Sequence, residues 1–92
     1  PWKFVSLAAT VRCMNTLHNA IELLENGEWE AAHKIVQTDD SATGAWAHGI
    51  VHMLEGDLKN ARYWFGRAGR ELAVGAQIQD EITALKASIV DD

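Results

Sequence analysis

Two glycine–acid steps, Gly27-Glu28 and Gly56-Asp57, each separate two stretches of helical hydrophobic spacing, and they limit what this chain can fold into more than any other feature. Laying Leu24–Val36 over Met53–Phe65 at a shift of 29 residues (Gly27 to Gly56) pairs Trp29 with Leu58 and Ala32 with Ala61. Carried backward, the same shift pairs Ala20 with Gly49 and Ile21 with Ile50. Repetition at a period of this size marks stacked supersecondary units. Each unit here is a helix, a turn and a second helix. The small residues at the centres, Ala20 or Gly49 against Ala32 or Ala61, let two helix axes approach closely.

The hydrophobic spacing supports the same division. Residues 1–12 mix alternating and helical patterns, so a strand-like arm and an early helix both remain open there. From Cys13 onward Leu17, Ala20, Ile21 and Leu24 give one apolar stripe, which Asn26-Gly27 ends. Glu28 opens a second helix, with Trp29, Ala32, Ile35 and Val36 on its inner side. Asp40, Ser41 or Thr43 is placed to cap a third helix, expected from about Ala45 to Glu55. That helix is apolar nearly all round, through Trp46, Ile50 and Met53 on one line and Ala47, Val51 and Leu54 on another, and so belongs in the middle of a bundle. Asp57 caps a fourth helix, with Leu58, Ala61, Trp64, Phe65 and Ala68 expected to point inward. Ile78, Ile82, Leu85 and Ile89 mark a last helix. The expected fold is all-α: one domain over residues 1–92, with antiparallel helical hairpins at 13–39 and 41–69 and a capping helix at 76–90.

Composition narrows the function classes. A chain of 92 residues supports one small core. A net charge of −5 argues against nucleic acid as partner, since phosphate binding requires a basic surface. No apolar run approaches the roughly 20 residues of a bilayer span. Cys13 is the only cysteine, which excludes an internal disulfide, and it sits in no nucleophile motif. No glycine loop follows a predicted strand to cradle phosphate. These features describe a soluble, cytoplasmic chain that touches neither nucleic acid nor membrane, and they disfavour an enzyme.

Two groups of residues could carry chemistry. His48 and His52 are four apart, so one helix face presents both imidazoles, with Glu55 a turn further on and His33 available from the preceding helix. Three histidines, or two with a Glu, suit zinc or a similar divalent ion with a position open to water. The plainer alternative is a pair of structural histidines, satisfied by neighbours such as Glu55, Asp57, Asn60 or Tyr63. Hydrophobicity alone turns the His line toward water, whereas the repeat register turns it against the next helix. The second group is Lys59, Arg62, Tyr63, Arg67 and Arg70, in a stretch with no acid between Asp57 and Glu71. It is either an anchor for an acidic peptide tail or a phosphate, or a face neutralised by Glu22, Glu25 or Glu28. Of the four Trp, Trp29, Trp46 and Trp64 fall on expected inner faces and Trp2 is unplaced.

The pattern Gly56-Asp57-Leu58, Ala61, Phe65 and Ala68 resembles the tetratricopeptide class of helical repeats, with Leu58 where an aromatic is usual. The first copy follows it at Gly27, Trp29 and Ala32, then departs at Val36 and Asp39. The class period is about 34 residues, which implies a shortened second helix or connection here. The string His48, His52, Glu55-Gly56-Asp57, Asn60-Ala61, Tyr63-Trp64-Phe65, Arg67-Ala68-Gly69 also resembles small uncharacterised bacterial and fungal proteins. Those usually carry Arg where this chain has Met53. The resemblance implies a helical domain and no particular activity.

On sequence, the leading expectation is a non-enzymatic module that binds a protein or acidic peptide, either between repeats or on the Lys59–Arg70 face. The alternative is a metal or small-ligand site at His48, His52 and Glu55 with His33. Two repeats leave an open end, so a homodimer is a third expectation.

Overall fold

A computed structural model describes residues 17–89. The expectations placed on residues 1–16 and 90–92, including the choice for residues 1–12, Trp2 and Cys13, lie outside the described residues. Within them the chain is all-α: α1 (Leu17–Glu25), α2 (Trp29–Val36), α3 (Ala42–Glu55), α4 (Leu58–Arg67) and α5 (Ile78–Ile89).

The two glycine–acid steps have the same backbone geometry. Gly27 and Gly56 take φ of +78° and +91°. In each, the N–H of the following acid donates to the carbonyl five residues back, Glu28 to Leu23 at 2.8 Å and Asp57 to His52 at 2.9 Å. This is the Schellman closure, which satisfies carbonyls that a helix end otherwise leaves bare and which favours glycine because a Cβ strains the left-handed conformation. The sequence repeat is thus a repeat of one helix-stop device. Asp57 then caps α4, accepting from the Asn60 N–H at 3.2 Å and from Asn60 Nδ2 at 2.9 Å. Those two bonds, the side-chain one foremost, hold the Asp57 carboxyl below its usual value.

α3 begins at Ala42, a turn earlier than hydrophobic spacing indicates, because Ser41 is the cap: its hydroxyl accepts from Gly44 N–H at 3.0 Å. Asp39 in turn accepts from the Ser41 N–H and hydroxyl. Polar and small residues at the first turn carry no hydrophobic signal, so periodicity missed them. α2 likewise starts at Trp29, with Glu28 in the capping position and no side-chain cap bond.

α3 occupies the middle of the bundle and contacts each of the other four described helices. Trp46, Ala47, Ile50, Val51 and Met53 are all buried on it. They pack with Ala20, Ile21 and Leu24 of α1, Ala32 and Val36 of α2, Ala61 and Phe65 of α4, and Ile82, Leu85 and Ile89 of α5. α3 and α4 lie so close that a Cβ on Gly49 would clash with the edge of the Phe65 ring and stand 3.2 Å from the Ala61 carbonyl oxygen. α5 closes the core against α1 and α3, and its Lys86 pairs with Glu25 of α1 at 3.2 Å.

The inward set expected for α4 needs correction. Ala61 and Phe65 are buried, whereas Trp64 and Ala68 are half-buried and Leu58 is 49% exposed. Leu58 has the right helical phase, but it sits in the first turn, where the connection between α4 and α5 leaves a cleft above it. Trp29 is also only half-buried, while Trp46 is fully in the core.

Candidate metal centre

The register of α3 against its neighbours, set by the close approach at Gly49, turns His48 into the protein. The His48 residue is 5% exposed, and its ring stacks face to face on Trp64 of α4, with centroids 3.8 Å apart and planes within 10°. One turn later His52 keeps nearly the same ring plane, 5.0 Å from His48. His33 approaches from α2 and meets both rings edge-on, at 4.8 Å from His48 and 5.6 Å from His52. The available nitrogens of His33, His48 and His52 all lie within 4.8 Å of one another.

The bonds around the cluster are unevenly shared. His52 Nδ1 lies 2.8 Å from Glu55 Oε1, the i,i+3 neighbour on the same helix. With the proton on Nδ1, that ring donates to the carboxylate and keeps the Nε2 lone pair free. The other neighbours expected as partners for His48 are engaged elsewhere. Asp57 and Asn60 bond each other at the α4 cap, and the Tyr63 hydroxyl accepts from Arg67 at 3.1 Å. Among the described residues the His48 ring is held by its stack on Trp64, and no side-chain nitrogen or oxygen there is left both buried and unpartnered. Burial, with added repulsion from His33 and His52, lowers its pKa from 6.5 to about 4. It is a neutral imidazole at pH 7.

These distances have a chemical meaning. Nitrogens bonded to one tetrahedral zinc at about 2.0–2.1 Å stand roughly 3.3 Å apart. Nitrogens within 4.8 Å of one another are thus set wider than a bound zinc requires, and closing on an ion needs the rings to turn about their terminal torsions, which have broad minima. With Nε2 of His52 as the ligand atom, Glu55 on Nδ1 would supply what a metal-bound histidine generally has behind it, a carboxylate that fixes tautomer and orientation. A second group, His52, Glu55 and Asp57, meets the same distance criterion, but Glu55 and Asp57 are already committed to His52 and Asn60.

Sequence reasoning reached His33, His48, His52 and Glu55, and the structure brings all four together. It did not reach Trp64 as the wall behind His48. Trp64 reads as a core residue by helical spacing, and which imidazole it covers depends on how far α4 is rotated against α3.

The basic residues divide into two environments. Lys59, Arg62, Tyr63 and Arg67 are exposed on α4. Arg67 leans over the Tyr63 and Trp64 rings, at 5.9 and 5.5 Å. Arg70 departs from them, stacking at 3.6 Å on Trp46, whose indole N–H donates to Glu81 at 3.1 Å. Neither Glu22, Glu25 nor Glu28 neutralises the α4 face, since the ion pairs among the described residues are His52–Glu55 and Lys86–Glu25.

No described helix is long and apolar enough to cross a membrane. Compared with protein-family models, curated proteins and solved structures, the chain matches none of them.

Proposed function

We propose that this protein binds one transition-metal ion, zinc or an ion of similar preference, through His33, His48 and His52, with Glu55 orienting His52. The observation that carries the reading is the convergence of three imidazoles from two helices to within 4.8 Å, one of them backed by a carboxylate. Imidazole nitrogen suits zinc, copper, iron and nickel, and a metal must displace any proton from its ligand before it binds. His48 is neutral at pH 7, so no proton has to leave it there. Three protein ligands leave a fourth tetrahedral position for water or an exchangeable ligand. The helix–turn–helix repeat serves as the frame, since the paired turns place α2, α3 and α4 side by side, an arrangement we read as tetratricopeptide-like.

Elemental analysis of protein purified without a His tag tests the proposal. Near-stoichiometric metal is expected, lost in His33→Gln and in His52→Gln. Both residues are only partly buried, so these variants should keep the fold that His48→Ala endangers. Metal-free protein that also fails to take up added zinc would sink the proposal.

A further inference from the structure

We infer that the cleft between the start of α4 and the connection to α5 docks an acidic peptide segment of another protein, seated by one aliphatic side chain. This inference is independent of the metal centre. The cleft has a volume of about 200 Å³ and an apolar lining that includes Met53, Leu58, Leu72, Val74 and Ala76, with Arg62 the only charged residue lining it among the described residues. Leu58 is 49% exposed and Val74 is 99% exposed, so two aliphatic side chains flank the opening without cover from the described residues.

Charge selects the occupant. Arg62 takes part in neither ion pair found among the described residues, and the same holds for Lys59 and Arg67 along α4. The stretch from Leu58 to Arg70 contains no acid. Arg62, with Lys59 a turn away, thus stands beside an apolar cleft in a chain of net charge −5, while Arg67 turns to the opposite flank over Tyr63 and Trp64. A nucleic acid is opposed by that net charge over its length, whereas a short acidic segment samples only the local charge, since charges beyond about 8 Å are screened at physiological salt. An aliphatic side chain in the cleft then places flanking carboxylates beside Arg62 and Lys59, where a guanidinium makes paired, charge-assisted bonds.

The test is an NMR titration of the ¹⁵N-labelled protein at physiological salt. The probe is a synthetic peptide with one Leu flanked by two Glu on each side, compared with its Gln counterpart. The amides of Leu58, Arg62 and Val74 should shift with the acidic peptide, with at least tenfold weaker binding for the Gln peptide. Arg62→Glu and Leu58→Ser should each weaken binding tenfold or more. Both residues are exposed, and the dispersed spectrum of each variant checks its fold. Absence of shifts at millimolar peptide, shifts centred elsewhere, or binding indifferent to Arg62→Glu would overturn the inference. So would shifts of these amides with protein concentration alone, which would assign the cleft to a second copy.

Discussion

Replacing Gly49 by Ala should destabilise the protein although alanine is the better helix former. In an unobstructed helix interior the exchange gains about 0.8–1 kcal/mol. Here the new methyl meets the Phe65 ring inside contact distance and the Ala61 carbonyl oxygen at 3.2 Å. Phe65 is 1% exposed and Ala61 fully buried, so neither can give way without moving α4. Overpacking of this kind costs roughly 1–3 kcal/mol, and more when backbone must shift. Because α4 itself must shift, the cost falls at the upper end of that range, and subtracting the helix gain leaves a loss of about 1–2 kcal/mol, or a fall in Tm of roughly 5–15 °C for a domain of this size. Gly66 provides the internal control. It lies on the exposed side of α4, where an added methyl meets nothing within 4 Å, so Gly66→Ala should gain up to about 1 kcal/mol. Thermal unfolding followed by circular dichroism in one buffer reads both. Opposite signs are expected, and a Gly49→Ala protein as stable as the parent would refute the close α3–α4 contact on which the His48–Trp64 stack depends.

Other outcomes follow from the same contacts. In metal-free protein, the His48 pKa is about 4 when folded and 6.5 when unfolded, so the unfolded chain takes up its proton first as pH falls. The stability associated with this group is complete above about pH 6.5 and declines towards pH 4, by roughly 1–2 kcal/mol after allowing for solvent screening. Urea titrations across that window should show the slope, and His48→Phe, which keeps a ring against Trp64, should flatten it. Asp57 has its pKa lowered from 3.8 and therefore acts below the window. Glu55→Ala should weaken metal binding by about 10–100-fold in competition with a chromophoric chelator while leaving one ion per chain, because it removes the group behind His52 and no ligand.

Elements of this fold were legible wherever local chemistry decides them. Gly27 and Gly56 announce helix ends because few other residues tolerate their conformation, and the apolar all-round pattern of Trp46–Leu54 announces a central helix because no other position buries it. The close packing at Gly49 and Ala61 was legible for the same reason, through the small residues themselves. What depends on the rotation of one helix against another was not. Leu58 has the phase of a core residue and lies beside a cleft, because periodicity does not register where the covering connection runs. Trp64 and Trp46 read alike as core, yet one walls the histidine cluster and the other carries Arg70. The direction of His48 was the undecided point: its polarity argues for water and its place in the repeat for the interior, and packing against α4 turned it inward. His52 and Glu55 share a face by spacing alone, and His33 was within reach from the preceding helix, but how closely its ring meets the other two depended on the three-dimensional arrangement.

If three imidazoles converge on one ion with a coordination position to spare, cobalt(II) should enter the same site. Its addition to metal-free protein is the sharpest check, because visible absorption separates the four-coordinate ion, which absorbs strongly, from the hexa-aqua ion, which absorbs weakly. An intense band is expected, saturating at one equivalent per chain and disappearing in His33→Gln. A spectrum that remains that of cobalt in water would contradict the proposed centre.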